Sequence, residues 1–351
     1  MTKKMFISLL CLLIISASSA FASERMARII GGKQASSTAW PSMAGLADKH
    51  SIVFCGASLI GKDWVLTAAH CVYEMDISDF DVFINQPNLE RQSANSEFIP
   101  VESVLLHPNY NNETLENDLA LIKLATSSRK PPIHVLAPFT AQDNAGKLAI
   151  ALGWGSTTTE QSAPYPVNLQ QVDLPLIDNR QCEAAMWPLT EDMLCAGDGL
   201  GERDTCFGDS GGPLTVFDTE SKTWRQAGIT SWGFDCAVLG TYGVYTRLKN
   251  YAQFISTNIC SAAETPAPVS LNLEVNGNRV TASWNALDNA SGYRLNYAPY
   301  PRPDTIYSFD MNQATVKSML LPRGSAFYVG ITSYNGNCLS KYSNIEHFVI
   351  Q

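Results

Sequence analysis

A serine flanked by glycines and acids lies in the stretch RDTCFGDSGGPL, residues 203–214. A serine hydroxyl is a poor nucleophile at neutral pH and needs an adjacent base. The stretches LTAAHC and NDLALIKL offer a histidine, His70, and an aspartate, Asp118. Each residue alone also fits a blander role, as a core histidine, a turn aspartate or a flexible loop. Together with Ser210 they predict nucleophilic catalysis.

Length and composition indicate a globular chain of about two domains. Of its 351 residues 45% are hydrophobic and 16% are charged, which argues against disorder. The formal net charge is -9, and loss of residues 1–28, with four basic residues and one acidic residue, would leave -12. Because an acidic surface repels nucleic acid and anionic membranes but attracts cations, we expect no nucleic-acid partner.

The first 22 residues are typical of a secretory signal peptide. They combine two lysines, a short apolar run, and the small residues Ala20 and Ala22. A membrane anchor is the alternative, but the run is shorter than the roughly 20 residues that a span needs. We therefore predict a secreted protein with a signal peptide over 1–22 and no membrane anchor.

Cysteine usage agrees with export. Of nine cysteines only Cys11 lies in the signal, and the remaining even number predicts disulfides in an exported chain. Metal binding is the competing interpretation, but no CxxC pair or histidine cluster supports it. We expect neither a metal nor a cofactor.

The pattern of short β-rich runs predicts an all-β fold in two parts. From Ile29 to Cys260 such runs alternate with turn-rich connectors, and only LKNYAQFISTNI has a helical apolar period. The stretch 261–268 is typical of a linker. Seven short alternating runs follow over 269–351, a number that suits a small β-sandwich.

The segment 29–260 resembles the trypsin-like serine proteases of the chymotrypsin fold. The stretches that carry the resemblance, all in the family's order, are IIGG, CGASLI, TAAHC, HPNYN, NDLALIKL, GWG, DTCFGDSGGPL, GITSWG and GVYTRL. The resemblance implies a protease domain of two antiparallel six-stranded β-barrels, with the active site in the cleft between them.

The resemblance also implies roles for individual residues. His70 would take the proton of Ser210, and Asp118 would hold the imidazole in the correct tautomer. The backbone N–H groups of Gly208 and Ser210 would form the oxyanion hole. The substrate-binding positions are Asp204, Thr205, Ser231, Trp232, Gly233 and Gly243.

Specificity would depend on Asp204, which matches the acid at the base of the family's primary pocket. A carboxylate there selects arginine or lysine, while Gly233 and Gly243 leave the pocket open. The segment 231–233 would pair with the substrate backbone as an added strand. The alternative for Asp204 is a structural turn aspartate.

The resemblance further implies activation by cleavage. Cutting after Arg28 would free the ammonium group of Ile29 to pair with Asp209, which makes 23–28 an activation propeptide and the chain a zymogen. Activity should then fall as the pH rises past the pKa of that ammonium, ordinarily about 8 and raised by the pairing. In the alternative interpretation residues 23–28 are a remnant of the signal peptide.

Three departures from the family pattern bear on ligands. Asp235 replaces a usual glycine at the pocket mouth, where it either attracts basic substrates or narrows the opening. Tyr242 replaces a frequent proline and is interpreted as structural rather than as a mark of a sodium site. In the loop that binds calcium in animal trypsins, Gln86 and Ser96 replace two carboxylates, which predicts no calcium site.

Family positions imply three of the disulfides. They are Cys55–Cys71, Cys182–Cys195 and Cys206–Cys236. By elimination Cys260 pairs with Cys338 and ties the two domains together, two free thiols being the alternative.

The segment 269–351 resembles a fibronectin type III or immunoglobulin-like sandwich. VTASW puts Trp284 in the core, and Phe327 stands where a corner tyrosine is usual. No catalytic set is found there.

The combined interpretation is a secreted serine endopeptidase zymogen that cleaves after arginine or lysine, with the layout of bacterial secreted trypsin-like proteases. Expected partners are protein or peptide substrates and protein protease inhibitors, and the chain is expected to be a monomer. The competing hypotheses are a catalytically silent binding protein and a narrow processing protease.

Overall fold

The computed structural model describes residues 29–36, 38–158 and 165–351. This part of the chain consists mainly of antiparallel strands, which form two closed barrels and two smaller sheets. The expected signal peptide and propeptide, including Arg28, lie outside the described residues. No helix in the described ranges is long and apolar enough to cross a membrane.

The first barrel closes from six strands. A short strand, β1 (Lys33–Gln34), precedes them, and the barrel strands are β2 (Met43–Asp48), β3 (Val53–Leu59), β4 (Trp64–Thr67), β5 (Phe80–Ile84), β6 (Glu97–Leu106) and β7 (Ala120–Leu124). Their order around the barrel is β2-β3-β4-β7-β6-β5, and closure leaves no free edge. Aliphatic side chains such as Leu46, Leu66 and Leu121 fill its core.

The second barrel follows a connector that contains the short strand β8. The connector strand is β8 (His134–Val135). The barrel strands are β9 (Leu148–Gly153), β10 (Gln170–Ile177), β11 (Met193–Ala196), β12 (Pro213–Asp218), β13 (Thr223–Trp232) and β14 (Gly243–Arg247). Positions of β10 alternate between buried and half-buried, as expected for a strand with one face on the core. Because β9 pairs with both β10 and β12, the six strands β9–β14 close on themselves. The prediction of two six-stranded barrels is confirmed.

Helical segments are short. The 3-10 turns are Ala69–Cys71, Ile77–Asp79 and Leu248–Tyr251, and the α-helices are α1 (Asn179–Ala185) and α2 (Ala252–Ile259). The last 3-10 turn and α2 together match the one helical stretch that the sequence predicts. Helix α1 was not predicted, since two turns are too short for an apolar period, but Asp178 caps it by accepting the N–H of Arg180.

The remaining strands form a sandwich of two sheets. They are β15 (Asn272–Asn276), β16 (Arg279–Ser283), β17 (Gly292–Pro299), β18 (Tyr307–Asn312), β19 (Val316–Leu320), β20 (Ala326–Asn335), β21 (Cys338–Leu339) and β22 (Glu346–Val349). Strands β15, β16 and β19 make one sheet, and the others make the second. The seven predicted strands are present, together with the two-residue β21, and Trp284 lies in the core as predicted.

The turn between β20 and β21 fastens the sandwich to the barrels. Asn337, which is buried in this turn, donates from its amide to the carbonyls of Ile60 at 2.8 Å and Ile133 at 3.2 Å. Its side-chain carbonyl accepts the N–H of Val135 at 2.8 Å. One asparagine therefore links the sandwich to the first barrel and to the connector between the barrels.

Two further links follow directly in the chain. Cys338 forms a disulfide with Cys260 at the end of α2. The N–H of Leu339 donates to the Ser256 hydroxyl at 2.8 Å. The alternative of two free thiols is wrong.

A buried ion cluster lies at the same interface. The carboxylate of Asp310, on β18, lies 2.9 Å from Arg294 and 3.6 Å from Arg225. Arg225, on β13, also pairs with Asp218 at 2.9 Å, and the N–H of Asp310 donates to Glu220 at 2.8 Å. Buried charges are costly unless they are paired, and here each arginine has a carboxylate partner from its own domain.

Candidate active site

His70 lies in the 3-10 turn that follows β4 of the first barrel. Its Nδ1 is 2.7 Å from Oδ2 of Asp118, and its backbone N–H donates to Oδ1 at 2.9 Å. Asp118 is fully buried and also accepts the Ser231 hydroxyl at 2.6 Å. Because a carboxylate only accepts, Nδ1 carries the hydrogen and Nε2 is left as a base.

Ser210 approaches from the second barrel, in the loop before β12. Its carbonyl accepts the N–H of Gly56 at 2.7 Å. A Cβ on the next residue, Gly211, would lie 3.1 Å from Sγ of Cys71, beside the histidine. Only a glycine allows the serine loop to pack this closely against the turn that carries His70.

The contact between His70 and the serine hydroxyl is not made in this conformation. The Ser210 hydroxyl has no hydrogen bond to any described residue, and Nε2 of His70 lies 3.7 Å from Sγ of Cys71. Catalytic hydrogen bonds are often long in the absence of substrate and tighten when it binds. The structure therefore joins His70 to Asp118 and brings the serine loop to the same cleft.

Two backbone N–H groups in the serine loop lack acceptors. Those of Asp209, Gly211 and Gly212 donate to the carbonyls of Cys206, Thr230 and Asp209. Within the described ranges, those of Gly208 and Ser210 donate to no acceptor. Unpaired N–H groups on either side of one residue are what an oxyanion hole requires.

Gly208 cannot be replaced without strain. Its φ is +92°, a conformation that side chains rarely adopt. A Cβ there would lie 3.0 Å from the ring of Tyr165 and 3.2 Å from Cα of Gly155. Gly208 therefore needs both the conformational freedom and the small size of glycine.

A cavity of about 190 Å³ opens beside Ser210. Its lining includes all the expected substrate-binding residues, which are Asp204, Thr205, Ser231, Trp232, Gly233 and Gly243. A Cβ on Gly243 would lie 3.1 Å from the Tyr245 hydroxyl and 3.2 Å from that of Thr205. The absence of a side chain at 243 therefore leaves this part of the cavity free.

Asp204 is the acidic group of this cavity. It is 7% exposed, and its Oδ2 accepts the N–H of Ala237 at 2.9 Å. Its Oδ1 has no partner among the described residues, and no lysine, arginine or histidine lines the cavity. Burial raises the pKa of Asp204 to about 6, although hydrogen bonds from the backbone oppose the rise. A cation placed beside it would favour the charged form.

Asp209 is fully buried next to the serine. Its carboxylate accepts the N–H groups of Gly155 at 2.8 Å and Cys206 at 2.9 Å. No lysine, arginine or histidine in the described segments pairs with it, and burial raises its pKa to about 7. A Cβ on Gly153 or Gly155 would collide with the carboxylate, which accounts for both glycines of the GWG stretch.

Ile29 lies in the core of the second barrel, where it is fully buried. The carbonyl of Ile30 accepts the N–H of Asp204 at 3.2 Å, so this segment borders the cavity. Arg28, where the activating cleavage is expected, lies outside the described residues.

The disulfides brace the site. Cys55–Cys71 holds the histidine turn against β3, and Cys206–Cys236 joins two walls of the cavity. Cys182–Cys195 ties α1 to β11. All four expected pairs are formed.

Sequence reasoning missed the supports of Asp118. It assigned Ser231 to substrate binding, yet its hydroxyl also binds Asp118. The hydroxyl of Thr246 donates to the backbone carbonyl of Asp118 at 2.7 Å. These partners are 113 and 128 residues away in the chain, so no local pattern signals them.

The structure shows the contacts of Tyr242, the second departure from the family pattern. The Tyr242 hydroxyl accepts the amide of Gln181 at 2.8 Å, which fits a structural role. One close group of three metal-ligand types occurs in the described part of the chain, Cys55, His70 and Cys71, and both of its cysteines form a disulfide.

The amide of Gln86 binds within the loop that corresponds to the calcium loop of animal trypsins. It donates to the carbonyls of Asn88 at 2.6 Å and Arg91 at 3.2 Å, and its oxygen accepts the Ser96 hydroxyl. A neutral amide thus ties together carbonyl oxygens of this loop, whereas calcium prefers several anionic oxygens.

A chelator is therefore expected to change the thermal unfolding midpoint by less than about 1 °C. Removing free calcium lowers the midpoint only when the folded protein binds that calcium. The matched variant carries Gln86→Glu and Ser96→Glu, which restore the two carboxylates, and its midpoint should rise with added calcium. A fall of several degrees in the original protein on adding chelator would contradict the assignment.

Comparison with known proteins gives one consistent result. The family model described as Trypsin matches residues 29–255. Mannan-binding lectin serine protease 1 of Mus musculus is 33% identical over 258 residues, which are 67% of this chain and 36% of that protein. Anionic trypsin of Bos taurus is 36% identical over 257 residues, 72% of this chain and 98% of the relative. The chain thus spans about a third of the first relative and nearly all of the second.

Proposed function

Because the chain belongs to the trypsin family of serine proteases, we propose that it is a secreted endopeptidase that hydrolyses peptide bonds after arginine or lysine. The observation that carries this proposal is the carboxylate of Asp204. It is buried in the cavity beside Ser210, and among the described residues one of its oxygens has no partner and no basic side chain lines the cavity. A substrate guanidinium or ammonium would supply the missing charge.

The proposed chemistry is acyl transfer through Ser210. Nε2 of His70 accepts the hydroxyl proton as the serine attacks the substrate carbonyl, and later gives it to the leaving amine. Asp118, held by three donors, stabilises the imidazolium. The unpaired N–H groups of Gly208 and Ser210 then bind the developing oxyanion, each being worth about 2.7–4 kcal/mol.

We also propose that the chain is a zymogen. Cleavage after Arg28 gives Ile29 an ammonium group, and Asp209 is a buried carboxylate with no cationic partner among the residues that the structure describes. Residues 23–28 are then the propeptide, 29–260 the protease domain, 261–268 a linker and 269–351 the sandwich. Substrates are proteins or peptides, protease inhibitors are partners, and the protein is a monomer.

The test uses the chain processed at Arg28 and two readouts. A fluorophosphonate should label Ser210, and a small arginyl amide should be turned over, while the Ser210→Ala variant should do neither. Labelling without turnover of arginyl or lysyl amides would refute the specificity. If neither readout responds, the alternative of a catalytically silent binding protein is correct.

A further inference from the structure

We propose that the rim of the cavity forms a second cation subsite, which favours substrates with a lysine or arginine two residues before the residue that enters the cavity. The subsite consists of Asp235 and an aromatic rim, defined as Trp187, Trp232 and Phe234. The inference rests on the proposed function and names the substrate class more closely.

The aromatic rim is a cluster of rings open to solvent. The ring centroids of Trp187 and Trp232 are 6.5 Å apart with planes at 37°, and those of Trp187 and Phe234 are 5.6 Å apart at 84°. Trp187 is 66% exposed although it lies between α1 and β11, where a polar residue would suffice. Trp232 and Phe234 also line the cavity, so the rings border the place where substrate binds. Large exposed rings beside a binding cavity mark a contact surface.

Asp235 gives this surface its charge preference. It follows Phe234 in the chain, is exposed, and lines the cavity. One of its oxygens accepts the N–H of Cys236 at 3.3 Å, and the other has no donor among the residues that the structure describes. Because it is exposed, the carboxylate of Asp235 is accessible to a cation at the mouth of the cavity. The interpretation of this residue as an attraction for basic substrates is therefore favoured.

The charges of the cavity do not balance with a single cation. Among the lining residues that the structure describes, Asp204 at the inner end and Asp235 at the rim are the acids, and no base is present. A substrate arginine that reaches Asp204 neutralises one carboxylate and leaves the other. A second positive group at the rim would meet a carboxylate and the faces of tryptophan rings, which attract cations within about 6 Å.

Strand geometry selects the substrate position. Side chains of an extended substrate beside the segment 231–233 alternate in direction, at about 3.4 Å per residue. The residue two positions earlier therefore points to the same side as the cavity residue, about 7 Å further along. Trp232 lies in this segment and Phe234 and Asp235 follow it directly, so the rim is the surface that we assign to this side chain. A long basic side chain can lay its methylenes on the rings and direct its charge to Asp235.

The experiment compares amino-blocked tripeptide amides that differ only in the first residue, namely Lys-Ala-Arg, Leu-Ala-Arg and Phe-Ala-Arg, on the processed full-length enzyme. We expect kcat/KM for the lysyl peptide to exceed that for the leucyl peptide by roughly five- to thirty-fold at low salt. In Asp235→Asn and in Trp187→Ala that ratio should fall to below about three-fold. High salt should reduce it in the unmodified enzyme. Asp288→Asn, an exposed acid of the sandwich, is the matched control and should keep the full ratio.

Two results separate the proposals. Rapid cleavage of all three peptides with equal kcat/KM, or a preference for phenylalanine that Asp235→Asn leaves unchanged, overturns the cation subsite alone. Failure to cleave any of them refutes the proposed function and the subsite with it. Retention of the lysyl preference in both variants likewise refutes the assignment to these residues.

Discussion

Replacing Asp204 by serine should lower kcat/KM for arginyl and lysyl amides by roughly 30- to 5000-fold, the equivalent of about 2–5 kcal/mol. The carboxylate is 7% exposed and one of its oxygens has no partner, so a bound guanidinium would be its principal counter-charge. In the variant, a substrate cation would be buried without that partner. The measurement is kcat/KM for matched arginyl, lysyl and phenylalanyl amides.

The same variant has an internal control. Asp204 does not contact His70 or Asp118, so fluorophosphonate labelling of Ser210 should proceed at the rate of the unmodified enzyme. Slower labelling would mean that the substitution has damaged the serine loop rather than the pocket. An unchanged preference for arginine would show that Asp204 is a structural turn residue.

Uncleaved and cleaved forms should differ in the pH dependence of their stability because of Asp209. In the uncleaved chain burial raises the pKa of Asp209 from the ordinary 3.8 to about 7. Between these values the folded state binds more protons than the unfolded state, so stability should fall as the pH rises from about 4 to about 7. The measurement is the free energy of unfolding of an Arg28→Gln, Ser210→Ala precursor across that range.

Cleavage should reverse the sign of the contribution that Asp209 makes to the pH dependence of stability. With the ammonium of Ile29 beside it, the pKa of Asp209 falls below its ordinary value, and the pair stabilises the fold above about pH 4. That stabilisation should be lost only as the pH rises through the raised pKa of the ammonium, above about 8. Asp209→Asn in the precursor should remove its part of the fall and leave the smaller fall that Asp204 causes, since burial raises the pKa of Asp204 to about 6. Identical pH profiles for the two forms would refute the pairing.

Much of the candidate site could be predicted because its residues lie in short local patterns. His70, Asp118 and Ser210 are each embedded in such a stretch, and strands such as β10 show their burial as an alternation in the sequence. Gly208 could be predicted for the same reason, because it lies in the same stretch as Ser210. Its φ of +92° explains why that position holds a glycine.

What could not be predicted depends on contacts between distant segments. Ser231 supports Asp118 across 113 residues, and Asn337 reaches Ile60 across 277. The strand β21 has two residues, too few for an alternation. The amide of Gln86 shows its role only when the loop is folded around it, although the loss of a carboxylate at that position was visible.

The anchorage of the sandwich affects how the protease can be shortened. A chain ending at Cys260 would keep His70, Asp118 and Ser210, but it would have an unpaired sulfur on α2. The carbonyl of Ile60 and the N–H of Val135 would lose the asparagine that binds them both. Since Val135 belongs to the connector between the two barrels, we expect a shortened chain to hold the barrel that carries His70 less firmly against the barrel that carries Ser210.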